Sequence, residues 1–262
     1  MDFTIEIYSE LITKLINKNY QFITFEYYCQ HESELRDKRF VILRHDVDLK
    51  AKNSLTTARV EHSFGVLASY FFRVVPQSND PEVIKSIVNL GHEIGYHYED
   101  MTICKGDSKK AIEHFKNQLD YFRQYYPVKT ICMHGAPRSK YDGKDLWKHY
   151  DYHDFGIIGE PYFDVDYSNV FYLTDTGRRW DGYQVSVRDK IPGFQDQWIK
   201  SGLVFHSTED VMHAIECESF PERLMMTTHP QRWTDNKALW VKEWIVQSGK
   251  NAVKKIMVNG KK

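Results

Sequence analysis

Carboxylate and imidazole side chains follow several apolar runs of this sequence. Asp46 and Asp48 come directly after one run, His134 ends a second, His229 follows a third, and His97 lies near the end of a fourth. Neutral imidazole together with carboxylate is the usual ligand set for Zn²⁺ and similar divalent ions, and a catalytic site leaves one position open for water. A further carboxylate can take a proton from that water, while an imidazole on the opposite side can protonate a leaving group. The pattern therefore indicates a metal hydrolase site.

Ordinary structural roles compete with this interpretation. An Asp-x-Asp at a strand end is often a helix N-cap with a salt bridge, and a strand-end His such as His229 is often hydrogen-bonded to a carboxylate. Arg44 could neutralise the two neighbouring acids or bind an oxyanion. We expect His45 to be structural, because alternation along a strand points it away from Asp46. We expect the same of His92, which lies in a turn.

Three segments resemble the motifs of a known family. Leu43-Arg44-His45-Asp46-Val47-Asp48 looks like a variant of Thr-Phe-Asp-Asp-Gly, and Gly91-His92-Glu93-Ile94-Gly95-Tyr96-His97 is similar to the first seven positions of Gly-His-Glu-Ile-Gly-Asn-His-Thr-x-x-His. These are motifs of the polysaccharide deacetylases of carbohydrate esterase family 4. Leu224-Met225-Met226-Thr227-Thr228-His229-Pro230 resembles that family's last motif. The resemblance spans Phe40 to Trp233, which is most of the chain.

The resemblance implies a role for each motif residue. Asp46 would be the catalytic base and His229 the general acid, while Asp48 and His97 would bind a divalent metal ion, with zinc as the first choice. The sequence departs from the family at Met101, which stands where the family has its second metal-binding His. A thioether is not a hard ligand, so the family's ligand set is incomplete here.

Three explanations of this departure are open. His134 lies where the family's third motif has an Arg near the catalytic Asp, and it would be the replacement ligand. Glu99 is a second candidate. The third explanation is that the metal is weakly bound or absent. We take His134 as the third metal ligand.

Polar and aromatic residues near the same strand ends are candidates for substrate binding. They are Arg44, Arg73, Asp175, Trp180 and Trp233. Flat aromatic rings with polar edges suit the faces of sugars, although core packing is their commoner role. Surface salt bridges explain the charged members of this set almost as well.

Strand-like and helical segments alternate along the chain, as is typical of β/α units with a mainly parallel sheet. Active sites of parallel barrels lie at the C-terminal ends of the strands, which is where the polar residues above are placed. We therefore predict an α/β fold, and the family resemblance implies a distorted, NodB-homology-like (β/α) barrel of mainly parallel strands.

The hydrophobic pattern predicts individual elements within this fold. Strands are expected at residues 40–43, 68–75, 130–134 and 223–228, and helices at 8–17, 53–64, 81–90, 109–126, 208–215 and 238–253. Residues 22–28 are predicted to form a short strand or edge segment, and residues 155–205 a β-rich, irregular region. A length of 262 residues suits one domain, so we expect a single deacetylase-like domain, with residues 1–39 as an N-terminal helix and strand extension.

Composition limits the kinds of partner. The 35 Lys and Arg balance 36 Asp and Glu, so the net charge gives no field to attract nucleic acid or an anionic membrane surface. A carbohydrate substrate is expected instead. No stretch approaches the roughly 18 apolar residues of a membrane span. The acidic N-terminus is unlike a secretory signal, and four widely spaced Cys without a Cys-x-x-Cys pair suit a reducing compartment. A cytoplasmic location is expected, and the high Tyr content is compatible with a homo-oligomer.

Three functions are compatible with these observations. The first is a metal-dependent hydrolase that removes an N-acetyl or related acyl group from a carbohydrate or glycan precursor, in surface polysaccharide biosynthesis for example. The second is a non-catalytic carbohydrate-binding or scaffold protein on a degenerate deacetylase barrel, which Met101 and Val47 suggest. The third is a hydrolase of another C–N bond on the same fold. Metal content separates the first from the second, and substrate screening separates the first from the third.

Overall fold

The core of the fold is a sheet of seven strands in which every pairing is parallel. The computed structural model describes residues 1–136, 139–180 and 190–259, the last seven of them as backbone only. Strand order is β5-β4-β3-β2-β7-β6, with β1 also paired to β2. The strands are β1 (Gln21–Ile23), β2 (Phe40–Val47), β3 (Ser69–Phe72), β4 (Glu93–Tyr98), β5 (Ile131–Met133), β6 (Phe171–Thr174) and β7 (Arg223–Thr228).

β2 is the central strand and has three partners. On one side it pairs with β7 along six residues. On its other side the first half pairs with β1 and the second half with β3. Parallel strands joined by helical crossovers curl into a barrel wall, and the expected distorted barrel of parallel strands is confirmed. In the described part of the chain, β5 and β6 are the two ends of the sheet.

Helices fill the connections between the strands. Side-chain caps fix several of their starts: the Asp80 carboxylate accepts from the first turn of α4, and Ser207 and Asp210 form a capping box on α9. The helices are α1 (Ile5–Asn17), α2 (Phe25–His31), α3 (Ala51–Ser63), α4 (Pro81–Asn89), α5 (Asp100–Ile103), α6 (Ser108–Arg123), α7 (Pro161–Asp164), α8 (Gln195–Lys200), α9 (Thr208–Glu216) and α10 (Lys237–Asn259). None of the helices in the described part of the chain could span a membrane.

Two apolar clusters lie on opposite faces of the sheet, because successive side chains of a strand alternate between faces. From β2, Val41 and Leu43 join the outer cluster with the helices, while Phe40 and Ile42 join the inner cluster. Phe71 is fully buried in the inner cluster. A Cβ atom on Gly95 of β4 would lie only 2.3 Å from the Phe71 ring, so only glycine fits at that position without rearrangement.

The structure differs from the sequence prediction in two places. Residues 22–28 form only the end of β1, after which the chain turns into α2, because the Thr24 hydroxyl accepts from the Tyr27 amide and caps a helix there. The region 155–205 was predicted to be β-rich, but its described part holds only β6 together with short helices. Residues 181–189 of that region lie outside the described part.

Candidate active site

The predicted site residues meet at the C-terminal edge of the sheet. Asp46 is the second-last residue of β2, and Asp48 directly follows that strand. His97 is the second-last residue of β4. His134 directly follows β5 and His229 directly follows β7. The polar residues reach one place because parallel strands present all their C-terminal ends at the same edge.

Three imidazoles approach the Asp48 carboxylate. The Nε2 atoms of His97 and His134 lie 3.6 and 3.5 Å from Asp48 Oδ1, and His229 Nε2 lies 3.9 Å from Asp48 Oδ2. These distances are too long for hydrogen bonds, and Asp48 Oδ1 is buried without a hydrogen-bond partner. Two atoms that each bind zinc at about 2.1 Å lie at most about 4.2 Å apart. The Asp48–His97 and Asp48–His134 pairs therefore fit shared coordination of a metal ion.

The second nitrogen of each imidazole is held by an acceptor. The acceptors of the Nδ1–H groups are the Cys132 carbonyl for His97 (2.9 Å), the Glu99 carboxylate for His134 (2.9 Å) and the Asp175 carboxylate for His229 (2.6 Å). Because a carbonyl or carboxylate oxygen cannot donate, Nδ1 of each ring carries a hydrogen, and Nε2 is the atom that faces Asp48. Metal-binding histidines in proteins are oriented in this way.

Asp48 carries a negative charge into this ring of nitrogens. Burial would raise its pKa, but the imidazoles of His134, His97 and His229 outweigh burial and hold the pKa well below the usual range. The Asp48 side chain is 21% exposed and that of His134 is 16% exposed, which is more than the other residues of the group. Solvent therefore reaches the site on the side of Asp48 and His134.

Asp46 is held by Arg44, two residues earlier on the same strand. Arg44 Nε donates to one carboxylate oxygen at 2.8 Å and Nη2 to the other at 2.6 Å. Burial would raise the Asp46 pKa, but Arg44 and the nearby imidazoles lower it. Arg44 itself is 1% exposed and lies over the Phe71 ring inside the barrel. It was expected to bind substrate, but its guanidinium is enclosed and serves Asp46 instead.

Among the described residues, the group whose ligand atoms all lie within 4.8 Å of one another is Asp46, His97 and Cys132. We favour Asp48 over Asp46 as the metal ligand, because both Asp46 oxygens already accept from Arg44, whose positive charge would repel a cation. Cys132 was not among the predicted site residues. Its signal was the strand register, since Cys132 lies opposite His97 in the β4–β5 ladder.

His229 belongs to a buried charged network centred on Asp175. The Asp175 carboxylate accepts from His229 Nδ1, from the His229 amide at 2.9 Å, from Trp233 Nε1 at 2.9 Å and from the Arg232 guanidinium. Burial would raise the Asp175 pKa, but Arg232 and His229 lower it to about 2. Burial and Arg232 oppose protonation of His229, yet Asp175 raises its pKa overall. Asp175 was expected to bind substrate, but it is fully buried and orients His229.

The two tryptophans predicted to bind substrate lie in the core. Trp180 and Trp233 are each 1% exposed and pack near one another and against Phe3. Their indole N–H groups donate inside the protein, to Thr208 Oγ1 and Asp175 respectively. As they stand, these rings support the site from behind and offer a substrate almost no surface.

Glu99 and Arg73 form a second layer behind His134. Arg73 donates from Nε at 2.9 Å and from Nη2 at 2.7 Å to one oxygen of Glu99, and its Nη1 lies 3.4 Å from the Asp48 carbonyl. Burial would raise the Glu99 pKa, but His134 and Arg73 hold it below its usual value. Glu99 thus orients His134 rather than standing beside Asp48, and Arg73 braces both. Arg73 had been expected to bind substrate, and Glu99 had been the alternative to His134 as a metal ligand.

Met101 lies in the outer apolar cluster and is 6% exposed. The position where the resembling family has its second metal-binding His is therefore part of the core in this protein. His134 supplies the second imidazole beside Asp48 from the next strand, β5.

His45 and His92 face the opposite side of the sheet, towards Glu61 of α3. His45 Nε2 lies 2.7 Å from one Glu61 oxygen. His45 Nδ1 and the Thr228 hydroxyl lie 2.6 Å apart. The hydroxyls of Tyr8 and Tyr70 also donate to Glu61. This buried network ties β2 and β7 together directly behind Asp46 and His229, and sequence reasoning did not single out Glu61.

Comparison with known proteins gives only distant matches. No family model and no curated protein matches the sequence. The matching solved structures include BA3943, a carbohydrate esterase family 4 pseudoenzyme from Bacillus anthracis, at 13% identity and a TM-score of 0.46 over 82% of this chain and 62% of that one. A BA3943 mutant with restored enzymatic activity matches at 12% identity and a TM-score of 0.46 over 83% and 65%. PdaA of Bacillus subtilis, a family 4 carbohydrate esterase, matches at 11% identity and a TM-score of 0.43 over 92% and 84%.

These solved structures belong to carbohydrate esterase family 4, the family whose motifs the sequence resembles. The chain covers less than two thirds of the length of BA3943. Similarity this low transfers neither residues nor an activity to this chain.

Proposed function

We propose that this protein is a metal-dependent hydrolase that removes an N-acetyl or related acyl group from a carbohydrate. The proposal is based on the three imidazoles around the Asp48 carboxylate. His97 and His134 approach Oδ1, which is buried without a hydrogen-bond partner, and His229 approaches Oδ2. Asp48, His97 and His134 would hold the ion, and zinc suits this mixture of nitrogen and oxygen ligands. An ion bound there would polarise the acyl carbonyl and acidify a water molecule.

The remaining residues divide the proton transfers between them. Asp46 is ionised and lies 3.6 Å from His97 Nε2, so it is placed to accept the proton of the attacking water. His229 approaches Asp48 from another strand, and its raised pKa favours the protonated imidazole that would donate to the departing amine. Asp175 holds the Nδ1–H of His229 and stabilises the imidazolium.

A non-catalytic carbohydrate-binding protein is the second candidate. The Arg44 guanidinium occupies both oxygens of Asp46, which weakens that carboxylate as a base. Such a protein would keep the barrel without needing a water-activating ion. Metal content and turnover separate the two candidates.

The first test is elemental analysis of untagged protein. Wild type and His153→Ala, which alters an exposed imidazole far from the site, should carry near-stoichiometric metal, whereas His97→Ala should lose it. Asp46→Asn should keep its metal and lose acyl release from N-acetylated sugars. Wild type that stays metal-free after reconstitution would contradict the hydrolase and favour the binding protein. Metal-loaded wild type inactive on every N-acetylated sugar would direct the search to other C–N bonds.

A further inference from the structure

The C-terminal helix α10 exposes several large apolar side chains and buries polar ones, although it lies on the protein surface. Beside the part-buried Trp240, its inward face carries polar groups: Gln247 is 4% exposed, and Asn251 donates to the Gly177 carbonyl at 2.8 Å. Its outward side chains include Leu239 (43% exposed), Val241 (47%), Trp244 (51%), Ile245 (58%) and Val246 (43%). A helix facing water normally shows the opposite pattern. A cluster of exposed apolar side chains of this kind marks a contact surface.

The same segment is strongly basic. Residues 237–262 contain seven Lys and one Glu, whereas the chain as a whole has 35 basic and 36 acidic residues. The rest of the chain therefore has 28 basic and 35 acidic residues. The near-zero net charge of the chain is therefore the sum of a basic C-terminal segment and an acidic remainder. The expectation of no attraction to an anionic membrane was drawn from that sum and does not hold for this segment.

We propose that the outward face of α10 binds an anionic lipid surface, with the helix lying in the plane of the interface. Apolar side chains would enter the acyl boundary, and the half-exposed Trp244 suits the headgroup level. Lysines would meet anionic headgroups, and the long stem of Lys242 allows its charge to reach them from between Val241 and Val246. A two-fold contact with a second copy fits less well, because it would press two basic helices together.

The helix lies beside the rim that carries the candidate active site. Lys50, two residues after Asp48, approaches Glu243 of α10 at 3.7 Å. Gly177, two residues after Asp175, accepts from Asn251. A protein bound through α10 would therefore hold this rim near molecules attached to the membrane. The lipid-binding proposal does not depend on the proposed hydrolase activity.

Sedimentation of the full-length chain with vesicles tests the proposal. We expect binding to vesicles of phosphatidylcholine mixed with phosphatidylglycerol, little binding to phosphatidylcholine alone, and weaker binding at high salt. Paired substitution Trp244→Ser with Ile245→Ser, and separately Lys242→Glu with Lys250→Glu, should each weaken binding about tenfold or more. Phe163→Ser, which removes a 49% exposed ring elsewhere, is the matched control and should bind like wild type.

Absence of sedimentation with the anionic vesicles would overturn the proposal, as would equal binding by wild type and both paired variants. Analytical ultracentrifugation in the absence of lipid covers the other occupant: a dimer abolished by the Trp244 and Ile245 substitutions would assign the face to a second copy. Sedimentation does not require catalysis, so an inactive protein leaves this test fully informative.

Discussion

The tautomers of three histidines determine what this site can do. Each imidazole gives Nδ1–H to a fixed acceptor and turns Nε2 towards Asp48, so the direction of three Nε2 atoms is set before any ligand arrives. Preorganised donors and acceptors cost no rearrangement at the moment of reaction. The acceptors, and not the histidines alone, are therefore part of the functional unit.

Substitution of Asp175 by Asn tests this view for His229. The amide cannot enforce the Nδ1–H tautomer and cannot stabilise an imidazolium, so turnover should fall by a factor of about 10²–10⁴. Metal content should stay unchanged, because Asp175 orients the proposed acid and touches none of the proposed ligands. Steady-state kinetics with elemental analysis checks both. A variant with wild-type kcat would remove His229 from the mechanism.

The sequence was enough to predict which strand-end residues form the site, but not which side chains they contact. Asp46, Asp48, His97, His134 and His229 were selected because polar groups directly follow apolar runs, and the structure brings all five together. The inward or outward direction of Arg44 and Asp175 depends on strand register and on crossovers between distant segments. That information is tertiary, so both were expected to contact a substrate, and both lie buried beneath the site.

The elements were predictable where the hydrophobic pattern is long or regular. The strand at residues 223–228 has the bounds found for β7, and the helical periods correspond to α1, α3, α4, α6 and α9. Prediction failed where aromatic residues suggested a strand but a capping threonine begins a helix, as at Thr24. Local hydrogen bonding by a side chain outweighed β propensity there.

The contact between β4 and β3 at Gly95 gives a prediction at the scale of elements. Gly95→Ala places a methyl group against the Phe71 ring in the barrel interior, and overpacking of this kind should cost about 1–3 kcal/mol. Urea unfolding measures the loss. Gly249→Ala in α10 is the matched control, because a Cβ there meets nothing within 4 Å and should leave stability equal or slightly higher. Equal unfolding midpoints for Gly95→Ala and wild type would show that Phe71 can move aside freely.

Buried charges make the stability of the whole molecule depend on pH. Burial raises the pKa of Glu160 from 4.5 to about 7, although the Met133 and Tyr162 amides oppose this. A raised folded-state pKa favours the folded state fully below the unfolded value, and this contribution is lost as pH rises through the folded value. Between about pH 4.5 and pH 7, stability should therefore fall by up to about 3 kcal/mol on account of this group.

Glu160→Gln should remove that slope, because glutamine does not titrate. The control variant is Glu113→Gln, at an exposed position of a helix. Urea unfolding of wild type and of both variants at several pH values measures how stability depends on pH. If Glu160→Gln kept the wild-type slope across this interval, another group would be responsible for it.

Because β2 pairs with three strands, we expect the part of the site on β2 to open less often than the part on β5. Amide hydrogens of a strand paired on both sides exchange through the rarest opening events, whereas a three-residue strand at the end of a sheet opens more often. Asp46 lies on β2 and Asp48 just beyond it, while His134 follows the terminal strand β5. Fraying of β5 would release His134 while the two carboxylates stayed in place. The affinity for a metal ion would then be governed by the opening equilibrium of one short strand, and stabilising that strand would slow release of the ion.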